Sequence, residues 1–104
     1  MKAIKELSAM IEEELEGAEH YVKTAMLYKI DMPGLADVMY EISTQEMRHV
    51  NLLHEEVVKL IKWHRENHGE PPAPMQAVYD WLHERQIEKS KEIKLLQNQY
   101  REMP

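Results

Sequence analysis

The chain has 104 residues, with 19 acidic side chains, 13 basic side chains, a net charge of −6 and no cysteine. This length corresponds to one domain, and the lack of cysteine excludes disulfides, thiolate chemistry and zinc fingers. The acidic balance argues against nucleic acid binding, because a phosphate backbone is bound by a basic face. No apolar run is long enough to cross a membrane, and residues 1–10 lack a signal-peptide apolar segment. We therefore expect a soluble, cytoplasmic protein that does not contact a membrane.

Two breaks divide the chain into three predicted helices, at about residues 2–30, 35–66 and 75–102. The first break, residues 31–34, has the sequence Asp-Met-Pro-Gly that is typical of a tight turn. The second, residues 67–74, contains one glycine and three prolines and predicts a stiff linker. Apolar residues recur at helical spacing throughout. The sequence predicts a single all-α domain over residues 1–104, in which a helical hairpin is followed by a C-terminal helix.

The first two predicted helices each carry a stripe of residues spaced three and four apart, as on a helix that faces a neighbour. The first stripe consists of Ile4, Leu7, Ile11, Glu14, Ala18, Tyr21, Ala25 and Tyr28. The second consists of Met39, Ile42, Glu46, His49, Leu53, Glu56, Leu60 and Trp63. The short turn makes these helices an antiparallel hairpin. Each is roughly 40 Å long, so we expect two hairpins to bury their apolar faces together as a four-helix bundle.

Polar side chains interrupt both stripes, and a buried carboxylate without a partner is costly. Glu46 and His49 are three residues apart and share one helix face. Glu14 lies about 18 residues before the turn and His49 about 17 after it, so the two lie at nearly the same level. One hairpin therefore offers two carboxylates and one imidazole at one depth. A two-fold partner would double this set.

Four carboxylates and two imidazoles match the ligand set of di-iron sites in helical bundles. These ligand types suit Fe(II) and Mn(II), with Zn(II) as a further substitute. We therefore predict that Glu14, Glu46 and His49 bind a pair of metal ions across a homodimer. Glu56 is a weaker candidate, which either holds incoming iron or pairs with a Lys or Arg across the interface. We expect the remaining histidines to face solvent: His20, His54, His64, His68 and His83.

Two segments resemble the ferritin-like superfamily. Residues Glu14 to Tyr21 resemble the family's pattern of a ligand Glu followed seven residues later by Tyr, with a small residue, Gly17, where helices approach closely. Residues Glu46 to His49 resemble the Glu-x-x-His signature of bacterioferritins and rubrerythrins. The resemblance covers about residues 2–63. Because this chain has one such half and a third helix, it is most similar to the encapsulated ferritins, whose short chains build the di-iron site across a dimer interface.

The resemblance implies ferroxidase activity, in which dioxygen or peroxide oxidises Fe(II), and Fe(III) is stored as mineral or passed on. It implies that Glu46 bridges the two irons, that Glu14 and His49 are terminal ligands, and that Tyr21 hydrogen-bonds a ligand or donates an electron. Core packing is the alternative for Tyr21. It further implies a homodimer or a larger even-numbered oligomer, such as a decameric ring, and residence in an encapsulin shell. Residues 100–104 do not resemble a cargo-loading peptide for such a shell.

Two other interpretations of the sequence remain open. The first is a rubrerythrin-like peroxide reductase, which would need a separate electron donor because this chain lacks the four cysteines of a rubredoxin-like centre. The second is a helical scaffold module whose polar stripe residues only fix the register of a dimer, at some cost in stability. In each interpretation the third predicted helix packs against the dimer or a larger assembly.

Overall fold

A computed structural model describes all 104 residues as three α-helices without a strand. The helices are α1, Lys2–Tyr28; α2, Pro33–His68; and α3, Ala73–Glu102. The predicted all-α fold of three helices is confirmed. α2 and α3 begin about two residues earlier than expected, with a proline in the first two positions of each. Proline fits there because the first N–H groups of a helix have no intrahelical partner.

The linker between α2 and α3 is residues 69–72, which is shorter than the predicted 67–74. Asn67 and His68 continue α2, which ends because Gly69 adopts a φ of 77°. Residues with a side chain rarely adopt this conformation. The N–H of Gly69 donates to the carbonyl of Arg65 at 3.1 Å. The chain then reverses within a few residues, and α3 returns along the hairpin.

α1 and α2 form the antiparallel hairpin that the sequence predicts, joined by a turn in which the N–H of Met32 donates to the carbonyl of Tyr28 at 2.8 Å. Alternate members of the predicted stripe on α1 are buried, namely Ile4, Ile11, Ala18 and Ala25. Ile11, Ala18 and Ala25 pack against small and apolar residues of α2, which are Ala36, Ser43, Met47 and Val50.

α3 lies parallel to α1 and covers a second face of the hairpin. Leu15 and Val22, which the predicted stripe did not include, are fully buried because they lie in clusters completed by Ile93 and Tyr100 of α3. Burial of such residues is the main favourable contribution to folding. The third helix therefore packs on its own hairpin in a single chain.

Two polar contacts fix the position of α3 on the hairpin. The Ser43 hydroxyl, fully buried, donates to the carbonyl of Ala18 at 2.6 Å and accepts from the Gln97 amide at 3.0 Å. Lys89 donates to the Glu19 carboxylate at 2.6 Å, and this hydrogen bond lowers the pKa of Glu19. A buried polar group is tolerated only when it has a partner, so these contacts select one register of α3.

The side of the hairpin that faces away from α3 remains uncovered. Half-buried and exposed apolar side chains line it, which are Leu7, Met10, Tyr21 and Tyr28 of α1 and Leu35, Ile42, Leu53 and Leu60 of α2. Glu14, Glu46 and His49 lie at its middle. The packing of α3 thus determines which face of the hairpin presents the polar stripe residues to solvent.

No helix is both long and apolar enough to cross a membrane.

Candidate metal centre

The structure brings Glu14, Glu46 and His49 together across α1 and α2. The His49 Nδ1 lies 3.3 Å from the Glu14 Oε2 and 3.8 Å from the Glu46 Oε1. One ligand atom from each of the three residues lies within 4.8 Å of the other two. The level match expected from counting residues back and forward from the turn is therefore present. Two carboxylates and one imidazole converge on one point, which is a donor set that suits divalent first-row metals.

Gly17, which lies on α1 one turn after Glu14, leaves space for the Glu46 carboxylate. A Cβ placed on Gly17 would lie 2.9 Å from the Glu46 Oε2, closer than real Cβ atoms approach an oxygen. The Glu46 carboxylate therefore lies against bare helix backbone. Glycine inside a helix costs roughly 1 kcal/mol relative to alanine. Glycine at this position leaves space for the Glu46 carboxylate, which is a physical reason for its presence despite that cost.

The Glu46 carboxyl group, hydrogen-bonded with Glu14, keeps its proton to a higher pH than an isolated glutamate does. The hydrogen bond with Glu14, followed by burial and by repulsion from the Glu14 charge, raises the pKa of Glu46 to about 7, while His49 acts in the opposite direction. Two adjacent carboxylates cannot both ionise without a compensating positive charge. The raised pKa of Glu46 lets a bound proton relieve this repulsion, and a divalent cation could do so in the proton's place.

The centre remains open on the uncovered side of the hairpin. The side chains of Glu14, Glu46 and His49 are 28%, 23% and 52% exposed. Three ligands leave coordination positions of an octahedral or tetrahedral ion unfilled. A second copy that supplied further ligands would have to approach the uncovered side of the hairpin.

The other sequence-predicted site residues lie outside this group. Tyr21 is half-buried, its ring meets His20 edge-on with centroids 6.1 Å apart, and its hydroxyl makes no hydrogen bond to the three ligands. Glu56 is exposed and pairs with Lys59 at 3.0 Å. One of its two expected roles was to pair with a Lys or Arg across the interface, whereas Lys59 lies on the same helix.

The expectation that the remaining histidines face solvent is wrong for His54 and His64, which are half-buried. His54 stacks on His83 of α3, with ring centroids 5.1 Å apart and planes at 14°. This contact joins distant parts of the sequence and had no local signal. His64 lies one turn from His68, with centroids 5.1 Å apart and planes at 40°. Their four-residue spacing was the available signal for this second pair.

Compared with known proteins, the chain matches no protein family, no curated protein and no solved structure. Any functional interpretation of the centre therefore depends on its geometry and on the chemistry of its side chains.

Replacing Gly17 with alanine tests the close approach. We expect Gly17→Ala to weaken Mn(II) binding about ten-fold or more, because the new methyl group displaces the Glu46 carboxylate, whereas thermal stability should hold or rise with helix propensity. Calorimetric titration with Mn(II) and thermal unfolding measure the two effects. Gly34→Ala is the matched control, since nothing lies within 4 Å of a Cβ there. Parental Mn(II) affinity in Gly17→Ala would contradict the account.

The proton shared by the carboxyl pair predicts a pH dependence of folding stability. A carboxyl pKa raised from 4.5 to about 7 means that the folded chain retains a proton which the unfolded chain releases, so stability is full below pH 4.5 and falls as pH rises to about 7. The loss is on the order of 3 kcal/mol. Denaturant unfolding in chelator at pH 4.5 and 7.5 should show a smaller loss for Glu46→Gln than for the parent. Equal losses in the two proteins would refute the shared proton.

Proposed function

We propose that two copies of this chain pair through the hairpin face opposite α3 and oxidise Fe(II) to Fe(III) at a centre shared between them. The observation that supports this proposal is the convergence of Glu14, Glu46 and His49 at the middle of an uncovered, largely apolar face. Exposed apolar side chains flank the three ligands in both directions along the hairpin. An apolar face of this kind is typical of a surface that pairs with another protein.

A two-fold pair would supply the ligands that one chain lacks. Each iron would be held by Glu14 and His49, and the Glu46 carboxylates of the two copies would bridge the ions. Four carboxylates balance the charge of two Fe(II) ions, which makes their burial between the copies feasible. The self-complementary contact of a two-fold dimer requires no further partner.

The reaction has Fe(II) as its substrate. Two Fe(II) ions each lose one electron, and one dioxygen takes up the two electrons and two protons to become hydrogen peroxide. The carboxylates favour the product because hard anionic oxygens stabilise the higher charge of Fe(III) more than that of Fe(II). The proton held by Glu14 and Glu46 leaves when the metal binds, so substrate binding and proton release are coupled.

Fe(III) needs a destination outside the dimer. A mineral core requires an enclosed volume, which two copies of a slender three-helix chain, each 55 × 18 × 16 Å, do not surround. The proposal therefore includes transfer of Fe(III) to a larger assembly, such as a ring of dimers or an encapsulin shell, as the resemblance to encapsulated ferritins suggests. The same resemblance also allows peroxide, in place of dioxygen, as the oxidant of Fe(II).

One observation favours a second candidate, a scaffold module without metal. Glu14 and Glu46 already satisfy each other through a shared proton, so the polar residues could fix dimer register on their own. In that case Glu46→Leu would raise thermal stability, and added metal would change nothing. The iron proposal expects metal to raise the thermal stability of the parent by binding the folded state.

Aerobic addition of Fe(II) to the purified protein tests the activity. We expect ferric absorbance that saturates at two irons per two chains and that is lost in Glu46→Ala and His49→Ala, since each removes a ligand from both halves of the centre. Helicity should remain at the parental level in circular dichroism.

Two controls match these variants. Glu55→Ala removes an exposed carboxylate from the same helix, and His20→Ala removes an exposed histidine from α1. Both should oxidise iron at the parental rate. The proposal fails if Glu46→Ala and His49→Ala do the same.

A further inference from the structure

Outside the carboxylate centre, His64 and His68 lie one turn apart on the same face of α2, near its C-terminal end. We propose that this pair is a second metal site, which binds Zn(II), Cu(II) or Ni(II) through two imidazoles. It lies about 15 residues beyond His49, or roughly 22 Å along the helix. The inference does not depend on the proposed iron oxidation.

The separation of the two rings is compatible with a shared metal ion. A metal–nitrogen bond of about 2.0–2.1 Å places the ion roughly 3.2 Å from the centroid of an imidazole ring. When the nitrogen–metal–nitrogen angle is tetrahedral, the centroids of the two rings are about 5.2 Å apart. The rings of His64 and His68 are 5.1 Å apart. Histidines four residues apart on a helix are also the pair with which helical zinc sites begin.

The angle between the rings distinguishes this pair from the other close histidine pair. A metal ion lies in the plane of each imidazole that binds it, because the nitrogen lone pair lies in that plane. The planes of His64 and His68 are tilted by 40°, so these rings are not stacked face to face. The rings of His54 and His83 are stacked at 14°. In a face-to-face stack the nitrogen lone pairs lie in nearly parallel planes, so that pair would have to rotate to bind one ion.

The local charges also favour a cation at this end of α2. The last carbonyls of a helix carry partial negative charge, which attracts cations in the final turn. His68 is the last residue of α2. Of the positive charges nearby, Arg65 is balanced by Glu70, whose carboxylate lies 3.2 Å from the Arg65 Nε, and the Met1 ammonium donates to the Tyr79 hydroxyl. Met1 and Glu70 both line the same shallow depression as the two histidines.

The ligand set predicts selectivity between the two centres. Imidazole pairs bind Cu(II) most tightly among divalent first-row ions, followed by Ni(II) and Zn(II), and they bind Mn(II) and Fe(II) weakly. The Glu14–Glu46–His49 centre adds two carboxylates, so Mn(II) and Fe(II) bind there in preference to the histidine pair.

Trp63 provides a direct readout of the histidine pair. Its ring centroid lies 5.5 Å from that of His68, and Trp81 is the only other tryptophan. Trp81→Phe leaves Trp63 as the single indole. Bound Cu(II) quenches a tryptophan within a few ångströms, and a chelator that removes the ion restores the emission.

The experiment is a Cu(II) titration of the Trp81→Phe protein, followed by removal of the ion with a chelator and by protection with excess Zn(II) added first. We expect saturable quenching of at least half the emission, reversed by the chelator and shifted to higher Cu(II) concentration by the Zn(II). His64→Gln or His68→Gln should weaken the apparent affinity at least ten-fold. Glu46→Gln should leave the titration unchanged, which separates this site from the carboxylate centre.

A matched variant keeps the number of histidines but changes their geometry. His68→Gln combined with Glu66→His places the second histidine two positions from His64, on a different helix face. Residues 66 and 68 are both exposed, so the fold should be retained, as circular dichroism would verify. Weak binding by this double variant supports a chelate of two imidazoles. Parental affinity in it, or in His68→Gln alone, would overturn the proposal.

Discussion

The contact between the Glu14 and Glu46 carboxyl groups is the interaction on which the candidate centre depends. Two carboxylate charges in contact require either a shared proton or a cation between them. Gly17 leaves space for the Glu46 carboxylate against the backbone of α1. The packing of Ala18 against α2, together with the hydrogen bond from Ser43 to its carbonyl, holds the hairpin register that aligns the two acids. The metal chemistry proposed above follows from this arrangement.

The third helix determines the direction in which the centre opens. α3 uses Ile93 and Tyr100 to cover one side of the hairpin, and the Gln97 and Lys89 contacts fix its register there. A hairpin alone would leave two faces uncovered. With one face covered by its own chain, the face that carries the polar ligands is the one that remains open. In the proposed dimer, packing within the single chain and pairing with a second copy would therefore use different surfaces.

Helical periodicity and residue counting predicted much of this arrangement. The three helices, the hairpin and the level match of Glu14 with His49 all follow from local spacing and a fixed rise per residue. The same reasoning missed Leu15 and Val22, because periodicity identifies a face without specifying which helix will cover it. It also missed the Ser43–Gln97 hydrogen bond and the stacking of His54 on His83, since these pairs are remote in sequence. The linker was predicted too long because proline can begin a helix as well as end one.

Native mass spectrometry of the protein with Mn(II), a stable substitute for Fe(II), tests the central claim most directly. The account predicts that metal shifts the population toward species with an even number of chains, and that each pair of chains carries two ions. The same species should lose the ions and dissociate when Glu14 is replaced by alanine. Metal bound to single chains without association, or a stable dimer that takes up no metal, would contradict the account.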